Sequence, residues 1–209
     1  MKNILHITSS VKGAASRSTL LSEEVVAGLL QQGPGAGVTT RDLGAEPVAM
    51  LDADALGALS TPADRRSPAQ QALIAAHDAL IAEIKAADVV VFGVPMYNFA
   101  VPAQLKAYLD AISRAGATFR YGATGPEGLI RGKKVYVVFA RGGHYRDTPN
   151  DTQTPFLRAI LGFLGMTDVE FVYAEGLETG ATGEAKGLAV ARQAIAALLG
   201  HESALRSAA

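Results

Sequence analysis

The sequence has no cysteine among its 209 residues. This absence excludes disulfide bonds, thiolate nucleophiles, and zinc or iron–sulfur centres held by cysteine, and no metal site is predicted. A large excess of one charge is also lacking, because 19 basic and 20 acidic residues leave a net charge of −1. Proteins that bind nucleic acids or anionic membrane surfaces have a positively charged surface, so neither is expected as a partner.

Long apolar runs are missing as well, since none approaches the roughly 20 residues needed to cross a bilayer. The sequence opens with Met1-Lys2-Asn3-Ile4, which leads directly into a strand pattern without the layout of a signal peptide. A cytoplasmic protein is therefore expected. Its length and its 49% hydrophobic content fit one α/β domain, which we place at residues 1–200, followed by a loose tail at 201–209.

Apolar runs alternate with helical patterns along the chain. The predicted strands are 3–8, 38–42, 89–94, 135–140 and 169–173. The predicted helices are 20–30, one that begins at Ser67, 103–114, 154–164 and 184–199. At Ser67 the run Ser-Pro-Ala-Gln supplies an N-cap, a first-turn proline and a glutamine at N3. Five strands, each followed by a helix, predict a doubly wound parallel sheet in the order 2-1-3-4-5, with helices on both faces.

The most informative segment follows the third strand. Val89 to Val94 is apolar throughout, which indicates a strand buried on both faces. Pro95-Met96-Tyr97-Asn98-Phe99 comes next, beyond the carboxyl end of that strand, where ligands of such sheets bind. A rigid proline, a thioether, two aromatic rings and an amide suit a flat heteroaromatic ring such as a flavin. Phe99 alone is better explained as a buried aromatic of an ordinary connection, whereas a buried Asn98 needs hydrogen-bond partners.

Hydroxyl groups crowd the turn between the first strand and the first helix, from Thr8 to Thr19. Serine hydroxyls and the free N–H groups of a helix N-terminus form a cradle for one phosphate monoester. The alternative is that Ser16 or Ser18 only caps the helix. The turn lacks the glycine pattern of a Rossmann fold and that of a Walker loop.

The fourth strand ends in a third loop, from Ala140 to Tyr145. Gly142 and Gly143 permit a close approach of the main chain to a ligand. A main-chain N–H that points at a ring gaining negative charge on reduction stabilises that charge. The alternative is a flexible turn. The three loops lie at the ends of strands one, three and four, and we expect them to surround one crevice.

Several groups of residues, taken in order, carry a family resemblance: Ser10, Ser16-Arg17-Ser18, Pro95-Met96-Tyr97-Asn98-Phe99, Gly116-Ala117-Thr118-Phe119-Arg120-Tyr121, Gly125-Pro126-Glu127-Gly128-Leu129 and Arg141-Gly142-Gly143. With these, nearly the whole chain resembles the FMN-dependent NADH-azoreductases and NADH:quinone oxidoreductases of the flavodoxin-like superfamily. The resemblance implies a flavodoxin-like fold with bound FMN. It also implies hydride transfer from NADH or NADPH, and ping-pong reduction of quinones or azo compounds.

The resemblance further assigns roles to residues. Those assigned to the FMN phosphate are Ser10, Ser16, Arg17 and Ser18. Those assigned to the isoalloxazine ring are Met96, Tyr97, Asn98, Phe99, Ala140, Arg141, Gly142 and Gly143. Family members commonly have serine at the position of Ala140, so one side-chain hydrogen bond is expected to be missing here. The substrate pocket is assigned to Asn98, Phe99, Tyr121 and Phe163, and no side chain acts as a covalent nucleophile.

The resemblance also implies a homodimer with two FMN, in which the partner subunit completes each site. One sequence feature supports a dimer independently. The helix at 154–164 is apolar around most of its circumference, through Phe156, Leu157, Ile160, Leu161, Phe163 and Leu164. Burial against a second subunit and burial in a deep core both explain this pattern.

Two other classes of protein are weighed against this one. A flavodoxin-type electron carrier would bind FMN and need a partner reductase, but the balanced charge gives no strong docking field, and the extra loop at 116–128 favours a covered pocket. A hydrolase is disfavoured because the sequence has no Gly-x-Ser-x-Gly elbow and its four histidines form no readable triad. His77, on an apolar helical stripe, is expected to be a core residue. NADH and NADPH stay open as donors, with Arg17, Arg120 and Arg141 as candidates for a 2′-phosphate.

Overall fold

A computed structural model describes residues 2–33 and 35–207. Its strands are β1 (Asn3–Thr8), β2 (Gly37–Asp42), β3 (Val89–Pro95), β4 (Phe119–Gly122), β5 (Gly125–Gly128), β6 (Lys134–Ala140) and β7 (Asp168–Ala174). Its helices are α1 (Arg17–Gln32), α2 (Ala53–Ser60), α3 (Pro68–Ala86), α4 (Ala103–Ile112), α5 (Gln153–Leu164) and α6 (Ala181–Ser207). Single 3-10 turns lie at Gly13–Ala15 and Ala63–Arg65.

Five of these strands form one parallel sheet in the order β2-β1-β3-β6-β7. The predicted order 2-1-3-4-5 is confirmed, with β6 and β7 as its fourth and fifth strands. All seven residues of β3 are buried. A central strand of a parallel sheet requires this, because helices cover the sheet on both faces.

Side chains alternate along β3 between two hydrophobic cores. Val90 and Phe92 pack in the core that α3, α4 and α5 cover. Val89 and Val91 pack in the core that α1 and α6 cover. Because helices close both faces of the sheet, a ligand finds room at the edge where the strands end.

Helix α3 begins as the sequence predicts. The Oγ of Ser67 accepts a hydrogen bond from the N–H of Gln70 at 3.3 Å, and the Oε1 of Gln70 accepts one from the N–H of Ser67 at 3.0 Å. This reciprocal pair is a capping box, and it satisfies two N–H groups that a helix start leaves unpaired. His77 on the same helix is buried, as predicted, and this burial lowers its pKa.

Two elements of the structure were not predicted from the sequence. The connection between β2 and α3 contains α2, whose N-cap Asp52 accepts a hydrogen bond from the N–H of Ala55 at 2.8 Å. The extra loop at 116–128 contains an antiparallel hairpin of β4 and β5, each four residues long. Helices and strands as short as these carry too little periodicity to identify.

The last helix is longer than predicted, because α6 continues past Gly200 to Ser207. Residues 208 and 209 of the predicted tail lie outside the described residues, and a loose attachment of 201–209 stays a prediction. Within residues 2–33 and 35–207, no helix is both long enough and apolar enough to cross a membrane.

Candidate functional site

A crevice of about 660 Å³ opens at the carboxyl ends of the central strands, where the three predicted loops meet. The predicted residues that line it are Ser10, Ser16, Arg17, Ser18, Met96, Tyr97, Asn98, Phe99, Ala140, Arg141 and Gly142. Its volume falls in the range of about 300–1,000 Å³ that is usual for cofactor pockets. The structure therefore brings the three loops to one site, as the sequence analysis expects.

One end of the crevice is a helix N-terminus with two serine hydroxyls. Ser16 is the N-cap of α1, and its Oγ accepts a hydrogen bond from the N–H of Thr19 at 3.3 Å. The Oγ of Ser18 lies 3.0 Å from the Oγ of Ser16. Capping and a place in the crevice are thus not alternatives for Ser16. The first turn of α1 itself holds no acidic residue, and the N-terminus of this helix, which is the positive end of its dipole, faces the crevice.

A second pair of hydroxyls joins the loop after β1 to the loop after β3. The Oγ of Ser10 lies 3.0 Å from the OH of Tyr97. The N–H of Lys12 donates to Ser10 Oγ at 3.2 Å, and the N–H of Val11 donates to Tyr97 OH at 3.3 Å. Two hydroxyls that share one hydrogen bond use one proton between them. In the described part of the chain each pair therefore keeps a second proton, which is available to an acceptor such as a phosphate oxygen.

The segment Tyr97–Ala100, which we call the crevice turn, has an unusual backbone. Tyr97 and Ala100 exchange both main-chain hydrogen bonds, at 3.1 and 3.0 Å. Between them, Asn98 has a φ of 49° and Phe99 a φ of 65°. Positive φ at both central positions is typical of a tight hairpin turn and normally calls for glycine. Outside glycine such angles cost about 1–3 kcal/mol each, and they cluster at functional sites.

Two expectations about this turn are wrong. Phe99 is not a buried aromatic of an ordinary connection, because it is 49% exposed and lines the crevice. Asn98 is also exposed, so the argument that a buried amide needs partners does not apply to it. Backbone strain, rather than burial, distinguishes these two residues.

Arg141 has a different environment from the one a ligand-binding cation would need. Its side chain has no exposed surface and bonds to Asp151 at 2.8 Å and Glu175 at 3.2 Å. Its guanidinium also lies 4.2 Å from the ring centroid of Phe139. Burial opposes ionisation of Asp151, but hydrogen bonds from Arg141 and Thr154 outweigh it and lower the pKa of that carboxyl. Arg141 therefore contributes its main chain to the crevice, and its side chain is not a candidate for a 2′-phosphate.

Residues that were not predicted from the sequence also line the crevice. The carbonyl groups of Arg141 and Gly142 accept hydrogen bonds from the N–H groups of Leu177 and Glu178, at 3.1 and 3.0 Å. Leu177 and Glu178 line the crevice. Their position just past the carboxyl end of β7 was the available signal, since that edge of the sheet is where ligands bind. Glu184 of α6 was also missed, whereas the remaining lining residues, Lys12, Ala15, Pro95 and Tyr145, belong to the three predicted loops.

Three predicted residues do not line the crevice of the single chain: Tyr121, Gly143 and Phe163. Tyr121 and Phe163 instead lie on either side of Phe119, with ring-centroid distances to it of 5.7 and 4.4 Å. Tyr121 is 76% exposed. These two residues, which the resemblance assigns to the substrate pocket, thus form one aromatic cluster with Phe119 on the β4–β5 hairpin and α5.

A serine, a histidine and an aspartate do meet, but outside the crevice. The Nε2 of His6 lies 2.7 Å from the Oγ of Ser22, and Asp42 acts on the histidine electrostatically. Ser22 has no exposed surface, and its Oγ donates to the carbonyl of Thr19 at 2.9 Å. Burial lowers the pKa of His6 to about 4. A serine closed off from solvent cannot attack a substrate, so this cluster is not a hydrolase triad.

Comparisons with known proteins agree with this geometry. The chain is 57% identical over 197 residues to an FMN-dependent NADH:quinone oxidoreductase of Burkholderia lata, which covers 94% of this chain and 100% of that protein. It is 58% identical over 197 residues to an FMN-dependent NADH:quinone oxidoreductase of Aromatoleum aromaticum, at 94% and 99% coverage. Among solved structures, an azoreductase from Bacillus anthracis superposes with a TM-score of 0.87 at 27% identity, covering 95% of this chain and 99% of that one.

A family model supports the same assignment along the chain. The model of the flavodoxin-like fold matches residues 2–199. That range includes every strand of the parallel sheet and every loop that lines the crevice. The chain therefore belongs to the flavodoxin-like fold family.

Proposed function

We propose that the protein is an FMN-dependent NADH:quinone oxidoreductase with azoreductase activity. The observation that carries the proposal is the crevice, which joins a hydroxyl-lined helix N-terminus to a strained aromatic turn at the ends of the central strands. Relatives at 57 and 58% identity have the quinone oxidoreductase name, and the azoreductase of Bacillus anthracis shares the fold.

The donor set of the crevice fits FMN. Ser10, Ser16 and Ser18 supply hydroxyl protons beside the first-turn N–H groups of α1, which suits a phosphate dianion. The crevice turn and the loop after β6 offer main chain and aromatic edges for a flat ring. We infer that the phosphate lies at the serines and the ring between these two loops.

The reaction then divides between the cofactor and the chain. Bound FMN supplies the capacity to accept a hydride from NADH and to pass it to an acceptor. The chain binds and orients the reactants. The glycine-containing loop after β6 would offer main-chain N–H groups to the ring, and such groups would stabilise the negative charge that the ring gains on reduction.

We infer a ping-pong order, in which donor and acceptor use the same open side of the crevice in turn. NADH leaves as NAD⁺ before a quinone enters, and the quinone departs as its hydroquinone. An azo bond needs two such rounds to give two amines. Water, or a phenol such as that of Tyr121, supplies protons.

We propose NADH rather than NADPH as the preferred donor. All three arginines that were candidates for a 2′-phosphate are paired with carboxylates. Arg17 contacts Glu184 at 2.6 Å, and Arg120 contacts Glu127 at 2.6 Å. Arg141 is buried with its own carboxylate partners.

We further propose a homodimer in which the aromatic cluster of one subunit covers the crevice of the other. An apolar groove of about 700 Å³ adjoins the crevice and shares Tyr97 and Asn98 with it. Val11 on its rim is 59% exposed. A second copy on this groove would bury that surface and bring Tyr121 and Phe163 over the crevice turn. The cytoplasmic location stays a prediction from the sequence.

Steady-state kinetics with purified protein, FMN, NADH and benzoquinone test the proposed function. The proposal predicts rapid NADH oxidation without any second protein, and parallel lines in double-reciprocal plots at several quinone concentrations. An electron carrier of the flavodoxin type would bind FMN and oxidise NADH slowly until a reductase is added. That result would show that the protein is an electron carrier and would contradict the enzyme assignment.

A further inference from the structure

Gln153 joins two of the loops that line the crevice. It is the first residue of α5 and is 1% exposed. Its Nε2 donates to the carbonyl of Pro95 at 2.9 Å and to that of Ala100 at 3.1 Å, while its Oε1 accepts from the Nε of Arg141 at 3.0 Å. These partners fix the orientation of the amide. A flipped amide would set N–H against N–H at Arg141 and oxygen against oxygen at both carbonyls.

The two carbonyl groups that Gln153 holds lie at opposite ends of the strained segment. Ala100 closes the crevice turn, and Pro95 ends β3 just before it. Backbone with positive φ outside glycine persists where its surroundings over-determine it. Thr152, next to Gln153, adds a hydrogen bond from its Oγ1 to the carbonyl of Phe99. The start of α5 therefore holds the crevice turn at two carbonyl groups and the end of β3 at a third.

The Oε1 of Gln153 accepts its hydrogen bond from a side chain that is itself held in place. The guanidinium of Arg141 is fixed by Asp151, Glu175 and the ring of Phe139, and its side chain has no exposed surface. Arg141 itself begins the loop after β6. Through Gln153, the crevice turn is thus held at a fixed distance from the loop on the far side of the proposed ring site.

We propose that Gln153 is a positioning residue, which sets the separation of the crevice turn and the loop after β6 and thereby the affinity and environment of the flavin ring. This inference rests on the proposed function. Gln153 does not line the main crevice itself, although it borders the neighbouring apolar groove. It acts through the main-chain groups that it binds.

Two substitutions test the inference. Gln153→Glu keeps the length of the side chain and the contact with Arg141, but it replaces two N–H donors by an oxygen that faces two carbonyl oxygens. Gln153→Met keeps the length and removes all three hydrogen bonds without adding a charge, so it carries the test should the glutamate variant fail to fold. Matched controls are Gln193→Glu and Gln193→Met, at an exposed position of α6.

The first readout is hydrogen exchange of the FMN-free proteins. In both Gln153 variants, the amide hydrogens of Tyr97 and Ala100 should exchange at least about tenfold faster than in the unmodified protein. The reason is that the turn loses the hydrogen bonds from Gln153. The Gln193 variants should not. Unchanged exchange at these amides would overturn the inference, whatever the variants do to activity.

The second readout is FMN itself. Equilibrium titration should show a dissociation constant raised about tenfold or more, and the visible spectrum and midpoint potential of bound FMN should shift. Faster exchange with unchanged affinity, spectrum and potential would contradict the proposed link to the ring. If the unmodified protein binds no FMN, the proposed function fails and the claim about the ring falls with it. Hydrogen exchange still decides in that case whether Gln153 holds the turn.

Discussion

At the scale of single residues, the hydroxyl pairs are the most direct link between sequence and cofactor. The alternatives for Ser16 were a helix cap or a phosphate ligand, and the structure shows that the cap places its side chain in the crevice. One atom can serve both purposes, because a serine oxygen accepts two hydrogen bonds and donates one. The local rule for helix starts therefore also brings a hydroxyl group into the crevice, where we propose that the phosphate binds.

Replacing the serines should weaken FMN binding. Ser16→Ala with Ser18→Ala removes two hydrogen-bond donors from a charged group, so the FMN dissociation constant should rise about 10- to 100-fold, as measured by equilibrium fluorescence titration. Loss of the cap at Ser16 should lower the free energy of unfolding by about 1 kcal/mol. Ser60→Ala with Ser113→Ala removes the same atoms outside the crevice and should leave FMN affinity unchanged. Equal affinity in both double variants would rule out the phosphate assignment.

His6 should make stability depend on pH. Burial lowers its folded-state pKa to about 4, from an ordinary value of 6.5. Between these two values the unfolded state binds more protons than the folded state. The free energy of unfolding should therefore fall as the pH drops from 6.5 to 4, by at most about 1.4 kcal/mol per pH unit from this one group.

Urea denaturation of the FMN-free protein at several pH values measures this effect. His6→Gln keeps a donor for Ser22 but cannot take up a proton in this range, so its pH dependence should be flatter than that of the unmodified protein. His77→Gln measures how much of the pH dependence of stability comes from the second buried histidine, whose pKa is also lowered. Identical pH profiles for the unmodified protein and His6→Gln would contradict the assignment.

At the scale of elements, the close packing of α1 on β3 positions the serine-lined end of the crevice, where we propose that the phosphate binds. A Cβ atom built on Gly93 of β3 would lie 2.7 Å from the Oγ of Ser22 and 3.0 Å from the carbonyl oxygen of Ser18. The first turns of α1 can approach the central strand only because this residue is glycine. The position of Ser16 and Ser18 thus depends on a strand residue that does not itself line the crevice.

Gly93→Ala should therefore lower the free energy of unfolding, whereas Gly57→Ala should not. The added methyl group pushes α1 away from the sheet, and overpacking of this kind lowers the free energy of unfolding by about 1–3 kcal/mol. FMN affinity should fall as well, because Ser16 and Ser18 move with the helix. Gly57→Ala on α2 meets open space and should raise stability by about 0.5–1 kcal/mol. Both changes are measured by thermal denaturation and FMN titration, and a Gly93→Ala protein as stable as the unmodified one would refute the packing argument.

The parallel sheet could be predicted from sequence, and the shorter elements could not. Strands such as Val89–Pro95 are apolar along their whole length because both faces are covered, and that pattern is visible in one sequence. Helix α2 and the β4–β5 hairpin are short, and tertiary contacts rather than periodicity determine them. The environment of Arg141 could not be predicted from the sequence either, because its partners Asp151 and Glu175 come from separate segments of the chain. Asn98 and Phe99 were found through their residue types, although the decisive property is a backbone angle that sequence alone does not reveal.

At the scale of the whole molecule, the single chain leaves one side of the crevice open. The crevice turn and the neighbouring apolar groove expose Phe99 and Val11, at 49% and 59%. The aromatic cluster of Phe119, Tyr121 and Phe163 lies elsewhere on the same chain. A homodimer that brings these surfaces together accounts for both features.

Phe163→Ala tests this arrangement through kinetics. The KM for quinones should rise several-fold, by an amount that differs between a small benzoquinone and a larger naphthoquinone, while the FMN dissociation constant changes less than twofold. The reason is that in the proposed homodimer the ring contacts the acceptor from the partner subunit and lies away from the proposed phosphate site. Ile160→Ala, on the same helix, is the matched control for lost packing. Equal KM changes in both variants for all acceptors would place Phe163 outside the substrate pocket.

We propose that the crevice holds FMN and that the bound flavin takes a hydride from NADH without help from another protein. The decisive experiment is the visible spectrum of the purified protein with FMN, recorded before and after anaerobic addition of NADH and then of benzoquinone. We predict a protein-bound flavin band that bleaches within the mixing time on addition of NADH and returns when benzoquinone is added. A bound flavin that NADH leaves unchanged would contradict the enzyme assignment, and a protein that binds no flavin would contradict the site itself.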